Sequence, residues 1–183
     1  LQAHNGKLSH FILQFNDITD RKQAEFRLLY QSTHDALTGL PNRVMFRDRL
    51  EQALARARRS HNKVAVCFID LDGFKDINDV YGHDSGDQVL KQIGNRLQSS
   101  LRSTDTVARF GGDEFAAILG DIENVNDIES IAHHMINTIK QPFHLGEHGF
   151  HLSASMGISI AEDDADSIDA LMKYADMAMY RVK

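Results

Sequence analysis

Two pairs of carboxylates stand where the chain is expected to end or begin a β-strand. Asp70 and Asp72 close the apolar run VAVCFIDLD, and the alternation of a strand places both side chains on one face. Asp113 and Glu114 follow the pair Gly111-Gly112, which supplies the positive φ angles of a tight hairpin. If this hairpin lies beside the first strand, Asp70 and Asp113 meet at one end of a sheet.

Carboxylates that meet in this way require a compensating positive charge. Two of them about 4 Å apart repel each other by about 4 kcal/mol at an effective dielectric constant of about 20. One must then hold a proton, or a cation must lie between them. Oxygen ligands with access to water suit Mg²⁺, which completes its coordination with substrate phosphates. The alternative interpretation is that Asp70 and Asp72 are ordinary acidic residues on a solvated rim.

The segment after the first acidic strand, GFKDINDVYGHDSGD, is predicted as a glycine-rich loop before a helix over about 86–101. Backbone amides near the helix start at Gly86 can face an anion, and Lys75 adds a positive charge. Asn78 and Asp87 together offer amide and carboxylate groups that can bind the edge of a guanine. Taken singly, each is typical of a turn or a helix N-terminus.

Composition limits the classes of protein that this chain can represent. Its 183 residues suit one main domain with a modest appendage. The net charge of -6 argues against a nucleic-acid binder and a membrane-surface binder. No stretch approaches the roughly 18 apolar residues of a membrane span, so we expect a cytoplasmic fragment with no membrane contact of its own, and membrane attachment of a full-length protein stays open. Cys67 lies within an apolar run and is predicted to be a buried hydrophobic residue.

The pattern of elements predicts an α+β fold. We expect a mixed or antiparallel central sheet with helices on its faces, because helices alternate with strands and one pair of strands forms a hairpin. Residues 1–16, with a lone strand at 8–15, are predicted to be the tail of a preceding domain, and residues 17–34 a linker helix. Residues 35–183 form the main domain. Its predicted elements are helices at 42–60, 86–101, 125–140 and 167–183, strands at 64–72, 105–110, 114–119 and 152–160, and a hairpin in FHLGEHGFHL.

Five ordered motifs carry a resemblance to a known family. The stretches are DALTGLPNR, FIDLDGFKDINDVYGHDSGD, ARFGGDEFAAIL, SMGIS and YADMAMYRVK, and together they resemble the GGDEF domain of diguanylate cyclases over roughly residues 33–183. The resemblance implies condensation of two GTP molecules to cyclic di-GMP with release of two pyrophosphates. It also implies a mixed central β-sheet flanked by helices, on the fold of class III nucleotide cyclases and polymerase palm domains.

The resemblance assigns roles to individual residues. It implies that Asp70, Asp113 and the Leu71 carbonyl bind Mg²⁺ or Mn²⁺, and that Glu114 assists deprotonation of the ribose 3′-hydroxyl. Asn78 and Asp87 match the guanine-binding pair. The other residues expected to contact substrate are Phe74, Lys75, Asp79, His83, Gly111, Gly112 and Lys183. The family usually places an arginine four positions after the residue that matches Lys183.

Regulation is implied at two further places. Arg102 and Asp105 in RSTD match the family's inhibitory site, which binds the product, although an ordinary turn with a local salt bridge is the alternative. The segment FNDITDRKQAEFRLL resembles the end of a PAS sensory domain and its linker helix. The resemblance implies activity as a homodimer, since each domain holds one GTP. The rival function is a catalytically inactive module that binds GTP or cyclic di-GMP and regulates an attached domain.

Overall fold

The computed structural model describes residues 2–4, 7–10, 16–145, 148–161 and 167–183, which fall into two units, Leu1–Ser32 and Thr33–Lys183. The elements in chain order are β1 (Gln2–His4), β2 (Lys7–His10), α1 (Thr19–Thr33), α2 (Arg43–Ser60), β3 (Lys63–Asp72), α3 (Phe74–Tyr81), α4 (His83–Ser100), β4 (Thr106–Gly111), β5 (Glu114–Ile122), α5 (Val125–Ile139), β6 (Phe143–Leu145), β7 (His148–Phe150), β8 (Ser153–Ile160) and α6 (Ile168–Val182).

The first unit contains a strand pair and a helix. β1 and β2 pair antiparallel, so the prediction of a lone strand is wrong, because the described part of that strand has a partner. Residues 11–15 of that predicted strand lie outside the described residues. The predicted linker helix is present as α1, and none of its side chains is buried. Its large apolar residues, Phe26 and Leu29 among them, are exposed.

The second unit is built on a four-stranded sheet in the order β4-β5-β3-β8, in which each pair of neighbours is antiparallel. With α3 and α4 after β3, and α5 after β5, the chain follows a β-α-β-β-α-β path. The α+β prediction is therefore confirmed. A mixed or an antiparallel sheet was expected, and the described sheet is antiparallel. β3 lies between β5 and β8 and carries the predicted acidic residues at its end.

Side chains of β3 alternate between two hydrophobic cores. Val64, Val66 and Phe68 pack with residues of α2 and α6, whereas residues 65, 67, 69 and 71 pack with residues of α4 on the other face. The even-numbered positions continue through Asp70 and Asp72, so both carboxylates belong to the face covered by α2 and α6. Cys67 is fully buried, as predicted, and this burial raises the pKa of its thiol to about 12.

α6 packs directly on β8. A Cβ atom at Gly157 would lie 2.1 Å from both the Ala175 carbonyl oxygen and the Met179 nitrogen, so the helix backbone approaches the strand where a side chain is missing. The Ser159 hydroxyl donates a hydrogen bond of 2.8 Å to the Leu171 carbonyl of the same helix. These contacts fix the position of α6, whose last turn leads to Lys183.

The prediction of a loop over 73–87 is wrong, because this segment forms α3 and the first turn of α4. The breaks lie at Gly73 and Gly82, which have φ angles of 75° and 83°. Phe74 and Ile77 are both buried, and their spacing of three residues is that of a helix with one apolar face. The helix predicted to begin near Gly86 begins at His83 instead.

The remaining predictions of local structure hold. The Asn42 side chain caps α2 by accepting hydrogen bonds from the Val44 and Met45 amides. β6 and β7 form the predicted hairpin, with Phe143 paired to Phe150.

Among the described residues, no helix combines the length and the hydropathy needed to cross a membrane.

Candidate active site

The register of the sheet brings the two acidic segments together. Asp70 of β3 pairs directly with Glu114 of β5, and the Leu71 amide donates to the Asp113 carbonyl at 3.4 Å. The predicted convergence at one end of the sheet is therefore present. The cross-strand partner of Asp70 is Glu114, however, while Asp113 lies one residue earlier in the turn.

Asp70 is a buried carboxylate with an incomplete set of partners. Its side chain is 10% exposed, and no neutral donor in the described part of the chain hydrogen-bonds to its Oδ1 atom. Lys183 Nζ lies 2.6 Å from this oxygen as an ion pair. This contact with Asp70, reinforced by the negative charges of Asp113 and Asp72, raises the pKa of Lys183. Lys183 thus lies at the acidic site, and its contact with substrate phosphates stays a prediction.

Asp72 is held by a different set of groups. The Ser153 hydroxyl donates to its Oδ2 at 2.8 Å, and the Ser155 hydroxyl donates to its Oδ1 at 2.9 Å. Both serines come from β8, which pairs with β3 at this end. Sequence reasoning missed them, and the signal available was the alternation of serines in SASMGIS. Asp72 is therefore held at the end of β3 by two neutral donors from β8.

The Glu114 side chain is exposed, yet its pKa is raised. Partial burial is the largest cause, and the negative charges of Asp70, Asp113 and Asp176 add to it, while Lys183 acts in the opposite direction. Asp176 is a further acidic neighbour that sequence reasoning missed. It precedes Lys183 by seven residues on α6, a spacing that places both on the same helix face. A carboxylate with a raised pKa binds a proton more readily than usual.

The donor set suits a hard divalent cation. Among the described residues, no group of three or more His, Cys, Asp or Glu side chains is arranged to hold a metal ion. Mg²⁺ nevertheless binds through one or two carboxylates and takes its other ligands from water and phosphate. Asp70 offers a buried oxygen whose neighbour is the positive charge of Lys183, and Asp113 lies at the same end of the sheet, next to Leu71. These residues fit such an ion.

The predicted nucleotide-binding residues lie on α3, α4 and their junction. A Cβ atom at Gly86 would lie 2.0 Å from the Asn78 Oδ1 atom, so this glycine makes room for the Asn78 side chain beside Asp87. Phe74 is buried in the core, and its side chain cannot contact a substrate. The other predicted residues of this region are exposed on one or the other helix: Lys75, Asp79, His83 and Asp87.

The glycine turn leaves open space next to the carboxylates. Gly111 and Gly112 have φ angles of 145° and 52°, which confirms the predicted positive values. A Cβ atom on either would meet no atom within 4 Å. The backbone of the turn is therefore accessible from outside.

Arg102 and Asp105 form a closed turn away from the acidic site. The Arg102 amide donates to Asp105 Oδ2 at 3.1 Å, and the Asp105 amide donates to the Arg102 carbonyl at 3.0 Å. Burial raises the pKa of Asp105 despite hydrogen bonds from the Gly120 and Arg102 amides. A cavity of about 400 Å³ lies beside the turn, and Arg49 of α2 also lines it.

The class of protein follows from this arrangement: an α+β domain whose sheet end carries a buried carboxylate, further acidic neighbours and a lysine. The family model described as diguanylate cyclase, GGDEF domain, matches residues 32–183. The chain therefore belongs to the GGDEF family, a family of nucleotidyltransferase domains.

Several relatives can be compared directly. The bifunctional diguanylate cyclase/cyclic di-GMP phosphodiesterase MucR of Pseudomonas aeruginosa is 41% identical over 165 residues, which cover 90% of this chain and 24% of MucR. The diguanylate cyclase TpbB of the same species is 44% identical over 192 residues, which cover 100% of this chain and 44% of TpbB. The chain thus spans less than half the length of these curated relatives.

Solved structures agree with the fold. The GGDEF domain of TpbB matches with a TM-score of 0.78 and 44% identity, covering 81% of this chain and 87% of that domain. The GGDEF domain of DgcB from Caulobacter crescentus, solved in complex with c-di-GMP, matches with a TM-score of 0.74 and 27% identity, covering 81% of this chain and 88% of that one.

Proposed function

We propose that this domain is a diguanylate cyclase that condenses two GTP molecules into cyclic di-GMP and releases two pyrophosphates. The observation that carries the proposal is the buried Asp70 carboxylate, which is paired with Glu114 in the sheet and has one positive charge, that of Lys183, against several acidic neighbours. Such a carboxylate is costly unless a cation shares the site. Family membership gives the reaction for which that cation is needed.

Asp70, Asp113 and the Leu71 carbonyl would hold Mg²⁺ or Mn²⁺. When bound, the ion neutralises charge on the phosphate oxygens in the transition state. Glu114 is the proton acceptor for the ribose 3′-hydroxyl, and its raised pKa suits that task. Lys183 exchanges its contact with Asp70 for the substrate phosphates.

Asn78 and Asp87 are the guanine-binding residues in this proposal. Their amide and carboxylate groups complement the N1–H and the exocyclic amine of the base. Lys75, Asp79 and His83 lie on the same two helices and contact the nucleotide. Phe74 contributes through its main chain, since its side chain is buried in the core.

The active form is a homodimer. Each domain holds one GTP, and two domains face each other so that each 3′-hydroxyl lies in line with the α-phosphate of the other. Alignment of this kind can lower a barrier by about 7 to 11 kcal/mol. We further propose that residues 1–16 end a PAS-like sensory domain in the cytoplasm and that residues 17–34 link it to the catalytic domain, residues 35–183.

Cyclic di-GMP also inhibits the enzyme by binding at Arg102 and Asp105. The adjoining cavity and the second arginine that lines it, Arg49, support this site. Cyclic di-GMP carries two phosphates, which guanidinium groups bind well. Replacing Arg102 with Ala should abolish inhibition by added product and leave the initial rate unchanged. Unchanged inhibition would count against the site.

The direct test is incubation of the purified protein with GTP and Mg²⁺, followed by chromatographic measurement of cyclic di-GMP. We expect product from the wild type and at least a hundredfold lower rate from Asp113→Asn, as is usual when an electrostatic group of a site is lost. Asp169→Asn, which alters an exposed carboxylate on α6, is the matched control. Failure of the dimeric wild type to make product, with GTP still bound, would favour the regulatory module instead.

A further inference from the structure

Arg109 lies immediately before the glycine turn and joins it to a distant loop. Its Nε and Nη2 atoms donate to the Gly112 carbonyl at 3.1 and 2.8 Å. Its Nη1 atom donates to Asp35 Oδ1 at 2.9 Å. The Arg109 side chain is 10% exposed and that of Asp35 is 22% exposed. This ion pair is therefore shielded from solvent, unlike the Arg47–Asp169 pair, whose side chains are 43% and 79% exposed.

The loop that provides Asp35 is itself tightly hydrogen-bonded. Asp35 Oδ1 accepts from the Thr38 amide at 2.9 Å and from the Thr38 hydroxyl at 2.6 Å. The Asp35 amide donates to the Leu40 carbonyl at 2.8 Å. The Arg109 amide donates to the Pro41 carbonyl of the same loop at 2.9 Å. Main chain and side chain of Arg109 thus connect β4 to the loop at residues 34–41.

The consequence for the acidic site follows from peptide geometry. A peptide unit is planar, so a fixed Gly112 carbonyl also fixes the Asp113 nitrogen. On its other side, Asp113 is held by the hydrogen bond from the Leu71 amide to its carbonyl. Gly112 has a φ of 52°, and because glycine adopts positive and negative φ about equally readily, this conformation must be held by its hydrogen bonds. The guanidinium therefore fixes the peptide plane that leads into Asp113, while strand pairing with Asp70 and Gly111 holds Glu114.

We propose that Arg109 is a positioning residue of the reaction: it fixes the peptide plane before Asp113 and ties that plane to Asp35. The loop at residues 34–41, which directly follows the C-terminal end of α1, is by this connection part of the support of the acidic site. The kinetic part of this proposal rests on the proposed cyclase function, whereas the structural part does not.

The test compares Arg109→Lys and Asp35→Asn with the control Arg47→Lys. Lysine keeps the charge but cannot donate to Gly112 and Asp35 at the same time. Asparagine at position 35 keeps an oxygen acceptor but loses the charge. The two hydrogen bonds from Arg109 to the Gly112 carbonyl remain, because they do not involve position 35. Arg47→Lys weakens an exposed ion pair outside the site. Two measurements are made on each protein: steady-state kinetics with GTP and Mg²⁺, and hydrogen–deuterium exchange of the amides at residues 110–114.

For Arg109→Lys we expect kcat to fall by about 10- to 100-fold with KM for GTP within about twofold, as for a small displacement of catalytic groups. Exchange at residues 110–114 should quicken while exchange in α4 and α5 stays unchanged. Asp35→Asn should give a smaller change of the same kind, and Arg47→Lys none. A merely structural role would quicken exchange throughout the domain and lower kcat only in proportion to unfolded protein.

Unchanged kcat and unchanged local exchange in a folded Arg109→Lys protein would overturn the proposal. If that variant does not fold, the exchange pattern of Asp35→Asn decides alone: faster exchange confined to residues 110–114 supports the proposal, and any other pattern overturns it. If the wild type makes no cyclic di-GMP, the proposed function fails, and the exchange measurements still decide whether Arg109 holds the turn.

Discussion

The Lys183 ammonium lies 2.6 Å from Asp70 Oδ1, at the end of the sheet where Glu114 is the cross-strand partner of Asp70. One positive charge from α6 thus partly neutralises a cluster of carboxylates. A divalent cation at the same oxygen would have to displace it. The contact therefore predicts competition between this lysine and the metal.

Replacing Lys183 with Met should tighten binding of Mn²⁺ in the absence of nucleotide. We expect an increase in Mn²⁺ affinity of about three- to tenfold. The increase is modest because the lysine side chain is 42% exposed, so solvent screens its charge. Electron paramagnetic resonance of free Mn²⁺ during titration measures this affinity. Arg181→Met, which removes an equal charge from the exposed side of the same helix, should change it less. Equal affinity in wild type and Lys183→Met would contradict the competition.

Replacing Gly86 with Ala should weaken GTP binding and leave the fold intact. The new methyl group would lie 2.0 Å from Asn78 Oδ1, the end of a side chain that can rotate away, and 3.2 Å from Phe74 Cζ, which must shift by a few tenths of an ångström. We expect KM for GTP to rise about fivefold, since a lost hydrogen bond to a ligand weakens binding by about 1 kcal/mol.

The matched control for that prediction is Gly94→Ala in the same helix. Its methyl group would meet Leu40 Cδ1 at 3.1 Å and Thr38 Cβ at 3.6 Å but no predicted substrate residue, so any effect through the loop at residues 34–41 should change kcat and not KM. Both variants gain the same intrinsic helix propensity. Equal KM values in the two variants, measured from initial rates, would show that Asn78 does not bind the base.

Replacing Gly157 with Ala should destabilise the domain strongly. The added methyl group would lie 2.1 Å from two backbone atoms of α6, which no side-chain rotation can relieve. We expect a loss of about 3 kcal/mol in the free energy of unfolding, in the range of overpacked cores. Urea denaturation measures it. Gly120→Ala, whose methyl group would meet no atom closer than 4.0 Å, should lose less than half as much. Equal losses would mean that the close approach of α6 is unimportant.

The stability supplied by Asp35 should depend on pH. Burial raises the pKa of this carboxyl, but hydrogen bonds from Thr38 and the contact with Arg109 outweigh burial and leave it lowered. Because the pKa is lowered in the folded state, the ionised carboxylate stabilises the fold fully at pH values above the ordinary pKa of Asp, about 4. That stabilisation is lost as the pH falls through the lowered value.

Urea denaturation of wild type and Asp35→Asn between pH 3 and pH 7 tests this dependence. The wild type should exceed the variant most at pH 7, and the difference should shrink steadily below about pH 4. The pKa of Asp169 is also lowered, but its carboxylate is exposed. Asp169→Asn should therefore differ less from the wild type at each pH. A difference for Asp35→Asn that stays constant across this range would refute the assignment.

Local patterns in the sequence were sufficient for most elements. The alternation in VAVCFIDLD places Asp70 and Asp72 on one face of β3, because a strand has no other arrangement for residues two apart. The glycine pair specified a turn with positive φ, since other residues avoid that region. α3 was missed because it has only eight residues and lies between Gly73 and Gly82. The glycines and polar residues of this segment suggested a loop.

The acidic site depended on information that no local pattern contains. The sequence by itself determined which residues could do chemistry, the order of the elements and the family motifs, because these depend on residue type and short-range spacing. Only the tertiary structure decided that Glu114 is the partner of Asp70, that Ser153 and Ser155 hold Asp72, and that Arg109 connects Asp35 to the glycine turn. Strand register sets the first two of these contacts and the packing of the loop at residues 34–41 against β4 sets the third, and both arise between residues far apart in the chain.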